Sequence, residues 1–310
     1  MFAAASKSIF HMLAQSRQLR RLASAYGMRH PTSFARRFIA GETVEEAIAV
    51  AREVESRGLL QSLDYLGESA GSLADADAAT RDYLRVVRAV TQAGIIRNLS
   101  LKLTQLGLDV DHATAVDNLR KILEHAEGFF IRIDMESSVY TQATLDIFDL
   151  LWDQGHRNIG IVLQAGLHRT EKDEERLSAM GARVRLVKGA YREPKSVAYQ
   201  KKGDVDAAYA RLMQRLLERG TYPAIATHDI VMLNLAREHA AKLGLAADAF
   251  EFQMLYGIRR DIQMSLMRDG FRVRVYIPFG RQWFPYFMRR LGERPANLGF
   301  VIRGVAADRG

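Results

Sequence analysis

Phe129-Phe-Ile-Arg-Ile-Asp-Met-Glu136 is followed by Ser137-Ser-Val-Tyr-Thr-Gln-Ala-Thr-Leu-Asp-Ile-Phe-Asp-Leu-Leu-Trp-Asp-Gln154 and then by Ile159-Gly-Ile-Val-Leu-Gln-Ala-Gly166. The outer stretches are short, apolar and strand-like; the middle one carries a helical pattern. Strand, helix, strand is the signature of a parallel βαβ unit. Working outward, the unit recurs along the chain. Strand-like runs at 59–67, 99–107, 184–191, 223–228, 250–257 and 271–280 join those at 129–136 and 159–166. Most of the gaps between runs hold helical patterns, as at 75–92, 113–127 and 205–219 as well as 137–154. Eight such units over roughly 250 residues predict an α/β fold of the (β/α)8 type, with functional groups at the C-terminal ends of the strands. Those ends offer Glu68, Lys102, Asp134, Gln164, Arg185, Lys188, Thr227, His228, Gln253 and Tyr276, a polar ring too rich for core filling.

The stretch after the last run adds a second signal. Tyr286, Arg289 and Arg290 stand three and four residues apart, so a helix would put them on one face. Arginine grips a carboxylate with two parallel hydrogen bonds and keeps its charge, so a tandem pair beside aromatic rings reads as a pocket for a small acid with an apolar body. An arbitrary Arg-Arg pair is more often a solvated helix end. The eight-fold pattern around this pair favours the pocket.

Several runs, in order, resemble the proline dehydrogenase family. They are Ser100-Leu-Lys-Leu-Thr-Gln-Leu-Gly107, Ile131-Arg-Ile-Asp-Met-Glu136, Arg185-Leu-Val-Lys-Gly-Ala-Tyr191, Ala226-Thr-His228, Glu251-Phe-Gln-Met-Leu-Tyr-Gly257 and Tyr286-x-x-Arg289-Arg290. The resemblance spans about residues 38 to 301. It implies a distorted, TIM-like (β/α)8 barrel whose final helix lies over the mouth, FAD as cofactor, and oxidation of L-proline to Δ1-pyrroline-5-carboxylate by hydride transfer to flavin N5. Electrons would pass to a membrane quinone, and a separate pyrroline-5-carboxylate dehydrogenase would take the product. By the same resemblance Arg289, Arg290 and Lys102 clamp the substrate carboxylate, while Tyr191, Leu255, Tyr276 and Tyr286 wall its ring. Arg185 is expected beside flavin N5, with Gln164, Val187, Gly189, Thr227, His228 and Glu293 along the rest of the cofactor. Lys188 and Ala190 complete that lining. Asp134 is expected to balance Lys102, and Glu68 to pair with Arg289. No metal is expected.

Composition sets the bounds. At 310 residues and 48% hydrophobic, the chain can bury one full barrel, and it has no room for the aldehyde dehydrogenase module of bifunctional relatives. It contains no cysteine, which excludes disulfides and thiolate metal sites. No apolar run approaches the ~18 residues that span a bilayer. Residues 1–41 hold Lys7, Arg17, Arg20, Arg21, Arg29, Arg36 and Arg37 and no acid, so seven of the eight net positive charges lie there. We therefore divide the chain into a basic helical arm at 1–57 and a flavin-binding barrel at 58–310. The arm reads first as structural, compatible with peripheral contact on the inner membrane face of a cytoplasmic protein; a mitochondrial transit peptide is the alternative. A nucleic-acid role is disfavoured, because no binding module is recognisable. Thr43-x-x-Glu46 has capping-box spacing and starts a helix.

Competing motifs are weaker. Gly67-Glu68-Ser69-Ala70-Gly71 matches a nucleophile elbow, but it follows the first strand, where an α/β-hydrolase needs several. A related flavin barrel of the methylenetetrahydrofolate reductase kind has no reason to carry the arginine clamp. Lys188 could be a Schiff-base nucleophile, yet Gly189 and Ala190 beside it suit the close approach of a bulky cofactor. On the 250–257 run, Gln253 and Leu255 share a parity that can reach the barrel interior.

Overall fold

The computed structural model describes residue 28, residues 33–67 and residues 69–293. Eight parallel strands close into a barrel in chain order: β1 Leu60–Tyr65, β2 Asn98–Leu101, β3 Phe130–Ile133, β4 Ile159–Gln164, β5 Arg183–Val187, β6 Ala224–Ala226, β7 Glu251–Leu255 and β8 Arg272–Phe279. Helix α1, Val44–Ser56, precedes β1. The connecting helices are α2 Leu73–Ala93, α3 His112–His125, α4 Ser138–Asp153, α5 Thr170–Ala179, α6 Lys202–Arg219, α7 Ile230–Lys242 and α8 Arg260–Arg268, and α9 Trp283–Glu293 follows β8. The βαβ reading therefore holds around the whole barrel. The strands end earlier than the apolar runs suggest. After Leu101, for example, the chain turns, yet Leu103 and Leu106 stay buried in that turn and prolong the apolar pattern.

Local signals act as expected. At α1 the Thr43 side chain accepts from the Glu46 amide while Glu46 reaches back to the Thr43 amide, a complete capping box. Ala47, Ala51 and Val54 of that helix join the same apolar cluster as the barrel strands and the inner faces of α2 to α7. The residues of the arm before Met28 lie outside those described.

The barrel interior is polar at its floor, where branched apolar layers are usual. Strand register puts Arg274 opposite Gln253 and Ser62 opposite Tyr276, so both faces of the alternation can be followed from strand to strand. Arg274 forks onto Glu251 at 2.8 and 2.9 Å and donates to the Gln61 carbonyl at 2.7 Å. Arg132 donates to the carbonyls of Arg183 and Ile161 and lies over the Phe130 ring at 4.8 Å. Gly160 makes space for this guanidinium, because a Cβ there would meet Arg132 Nη1 and the Phe130 ring at 2.6 Å.

Candidate functional site

A cavity of about 580 Å³ opens at the C-terminal ends of the strands, well within the range of sites for small molecules and cofactors. Its deepest wall is a hydrogen-bonded ion network. Arg185 at the middle of β5 donates to Asp134 at 2.6 Å and to the Ser100 hydroxyl at 3.0 Å. The Tyr276 hydroxyl donates to the other Asp134 oxygen at 2.7 Å, and the Arg185 guanidinium sits 5.3 Å above the Tyr276 ring. Burial and the Asp134 carboxylate push the Tyr276 phenol far up, so it remains a donor. Lys102 Nζ meets Asp64 at 3.3 and 3.5 Å. Burial works against the Lys102 ammonium, but the carboxylates of Asp64 and Asp134 outweigh it and raise its pKa above the usual lysine value.

One expected pairing is corrected. Asp134 forms no ion pair with Lys102; its oxygens are taken by Arg185 and Tyr276, and Asp64 is the counter-ion of Lys102. The cause is reach. The Arg185 fork spans from β5 to Asp134 and Ser100 together, whereas Asp64 lies in register with Ser100 beside the end of β2, where Lys102 follows. Asp64 was not singled out in the sequence, because nothing in Leu60-Gln-Ser-Leu-Asp-Tyr65 tells which polar residue faces inward.

A second wall comes from β4 to β7. Gln164 Nε2 donates to the Glu136 carbonyl at 2.8 Å. The Leu255 amide donates to His228 Nε2 at 2.9 Å, which puts the proton of a neutral imidazole on Nδ1. Lys188 Nζ is held at 2.6 Å by both Asp206 and Asp229, a structural clamp unlike the environment of a Schiff-base amine. Asp229 also caps α7, and Thr227 Oγ1 accepts from the Asp229 amide at 3.1 Å. Gly189 has φ of +115°, a left-handed conformation that favours glycine, and a Cβ there would lie 3.3 Å from Gln164 Oε1. Val187, Lys188, Gly189, Ala190 and Tyr191 all face the cavity, as do Thr227, His228, Gln253 and Leu255.

Helix α9 supplies the third wall. Tyr286, Arg289 and Arg290 line the same cavity, and the Arg290 guanidinium lies 5.2 Å over the Tyr286 ring. The helix is anchored by Trp283, which donates to Glu42 at 2.9 Å, and by Phe284 and Phe287 in an apolar cluster with Met28, Phe38 and Leu66. The structure thus brings together every expected site residue except Glu293, whose side chain lies outside the described residues, as does Glu68 with its expected Arg289 contact. Ser69, the centre of the elbow-like motif, is exposed and does not line the cavity.

The wall has a hydrogen-bonding valence left for a bound group, as a flavin would require. Arg185 Nε is buried with no hydrogen-bond partner although its neighbours Nη1 and Nη2 are both engaged. A buried unpaired donor costs about 1–3 kcal/mol, and a ligand acceptor would remove that cost. Gly189 leaves room for the Gln164 side chain, which lines the same wall.

A profile of the proline dehydrogenase family matches residues 47–303. Proline dehydrogenase 2 of Bacillus subtilis (strain 168) is 39% identical over 302 residues, covering 97% of this chain and 98% of the relative. Proline dehydrogenase of Deinococcus radiodurans is 40% identical over 279 residues, covering 88% of this chain and 90% of that protein. Among solved structures, proline utilization A from Bdellovibrio bacteriovorus inactivated by N-propargylglycine superposes with a TM-score of 0.79 at 28% identity. That match covers 89% of this chain and 34% of the larger protein.

Proposed function

The chain belongs to the proline dehydrogenase family, and on that premise we propose that it oxidises L-proline to Δ1-pyrroline-5-carboxylate, with FAD as resident cofactor and a membrane quinone as final electron acceptor. The observation that carries this reading is the meeting of Lys102, Arg289 and Arg290 with the apolar and aromatic walls Leu255, Tyr276 and Tyr286 in one cavity. Three cations suit a carboxylate; the walls suit a saturated five-membered ring. FAD, when bound, supplies the two-electron acceptor that no side chain provides. Gln164, Arg185, Val187, Gly189, Ala190, Thr227 and His228 are the residues that would hold it, with Lys188 stiffening their loop.

The side chains do the rest. Arg289 and Arg290 orient the substrate carboxylate by charge-assisted hydrogen bonds, and Lys102 adds a third donor. Leu255 and Tyr276 hold the ring and exclude water. Oxidation requires the neutral amine. A pocket rich in cations disfavours the ammonium form and lowers the amine pKa, so the proton can leave to solvent before the redox step. Asp134 is engaged by Arg185 and Tyr276, which argues against its serving as a base.

A lipophilic acceptor is supported by where the apolar surface lies. Val139, Val197, Ile230 and Val231 are exposed at the mouth ends of α4, the β5–α6 connection and α7. Among the described residues no helix is long and apolar enough to cross a membrane, so contact would be peripheral. The product would pass to a separate pyrroline-5-carboxylate dehydrogenase. The test is one anaerobic titration. Protein carrying FAD should lose its visible flavin absorbance on addition of L-proline; persistence of the oxidised spectrum overturns the reading.

A further inference from the structure

Asp64 is fully buried at the C-terminal end of β1 and lines the cavity, yet the chemistry above gives it no role. We propose that Asp64 is a positioning residue for substrate binding: it holds Lys102 Nζ at the carboxylate end of the pocket as a permanently charged donor. The inference rests on the proline reading, since it assumes that Lys102 meets the substrate carboxylate.

Geometry supports it in three ways. First, the two oxygens of Asp64 stand 3.3 and 3.5 Å from Lys102 Nζ, longer than the ~2.7–2.9 Å of an optimal charged hydrogen bond. An ammonium has three donors, and this loose grip leaves some of them for a ligand on the cavity side. Second, Asp134 just after β3 cannot replace Asp64, because Arg185 and Tyr276 occupy its oxygens at 2.6 and 2.7 Å. Third, Lys102 is 8% exposed and Asp64 is completely buried. Burial disfavours the ammonium, and Asp64 is the carboxylate at ion-pair distance that offsets it, with Asp134 adding to the same effect from further away.

The other titratable groups facing Lys102 are Asp134 and Glu136 after β3, Tyr191 after β5 and Tyr276 from β8, with Arg185 bridging behind Asp134. Glu136 is spoken for by the Thr104 hydroxyl and amide at 2.6 and 3.2 Å, whereas Asp64 meets Lys102 Nζ directly. Neutralising Asp64 therefore removes the nearest counter-ion of Lys102 and lowers the pH at which the lysine loses its charge.

The experiment compares KM for L-proline in Asp64→Asn and wild type across pH. Taking the ratio at each pH removes the ionisation of free proline. The expected ratio is within about threefold at mildly acid pH and climbs to roughly tenfold or more toward alkaline pH, with kcat changing far less. A merely structural aspartate would give a ratio that does not vary with pH, and that result overturns the proposal. A second arm reads stability. Lys102→Met strands the Asp64 charge in the interior, so its Tm should fall, and adding Asp64→Asn should recover part of the loss without raising KM further. Additive effects of the two substitutions on KM overturn the proposal as well. If the wild type fails to oxidise proline, the functional reading falls and takes this one with it; normal wild-type turnover with a flat ratio overturns Asp64 alone.

Discussion

The barrel holds arginine–carboxylate contacts at both ends, and they are built differently. At the floor, Arg274 meets Glu251 through a parallel fork and spends its remaining nitrogen on the Gln61 carbonyl. At the mouth, Lys102 and Asp64 meet loosely, and Arg185 engages Asp134 and Ser100 while Nε stays unpaired. The floor has orphans too, Arg132 Nε and Gln61 Oε1, but neither residue lines the mouth cavity. The difference separates two uses of buried charge. A saturated pair closes a structure, and a partly saturated one waits for a ligand.

The comparison breaks most readily at the floor. Arg274→Met takes the ion-pair partner from buried Glu251 and leaves it only the neutral donors Tyr222 and Gln253, a change that typically costs about 3–5 kcal/mol. Burial alone would raise the Glu251 pKa, but the charge of Arg274 and the hydrogen bonds around it hold it below the usual 4.5. The stabilisation is therefore present above about pH 4.5 and is lost as pH falls through the lower folded value. Without Arg274 the shift reverses, so the gap in urea midpoint between wild type and variant should be wide at neutral pH and narrow in acid. A gap independent of pH would show that the loss is one of packing.

At the mouth the order inverts, with large effects on binding and small ones on stability. Losing one charged hydrogen bond costs about 1.5–3 kcal/mol, so Arg290→Met should raise KM for proline roughly tenfold or more while the urea midpoint stays near that of the wild type. An unchanged KM would reduce Arg290 to surface charge.

Tyr276 sits between these extremes, since it lines the cavity and also donates to Asp134. Its bulk predicts a preference for L-proline over trans-4-hydroxy-L-proline of about 10 to 200-fold, the usual scale of pocket discrimination. In Tyr276→Ser the ratio of kcat/KM should narrow, chiefly because proline is bound less well. An unchanged ratio would remove Tyr276 from the ring pocket.

The smallest effect is expected from the arm. Deleting residues 2–27, before the buried Met28 whose carbonyl accepts from Arg36, should leave kcat/KM for proline within about twofold. Binding to anionic vesicles should weaken, and unchanged vesicle binding would assign the contact to the barrel.

Much of the fold was legible because period and turn chemistry are local. The 137–154 pattern and the capping box at Thr43 needed no partner to be read. Lys102, Asp134, Lys188, Thr227 and His228 were legible because they follow a strand at its end; Arg185, Gln253 and Tyr276 lie inside their strands and the arginine pair on α9, and those were read from family motifs. Asp64 and the floor were not legible, since inward and outward parity emerges only when strands are paired. Arg272-Val-Arg-Val275 alternates as a half-exposed strand would, yet here Arg274 is buried and forked onto Glu251. The Asp134 partner was hidden for a related reason: it depends on how far an arginine on β5 can stretch.

Arg289 and Arg290 hang from a helix whose apolar residues lie outside the main core cluster. Helix α9 shares its cluster with Met28, Phe38, Ile39 and Leu66; the segment 40–42 binds the end of β8 and the turn after it through Ala40 to Pro278 and Gly280 to Gly41, and reaches α9 through Glu42 and Trp283. A cluster of this size is expected to open at a lower free energy than a full barrel core, as a cooperative unit of its own. On warming, α9 should exchange its amide hydrogens first and let the clamp go while the barrel still stands. Heat would then silence substrate capture before it denatures the protein, and cooling would restore it.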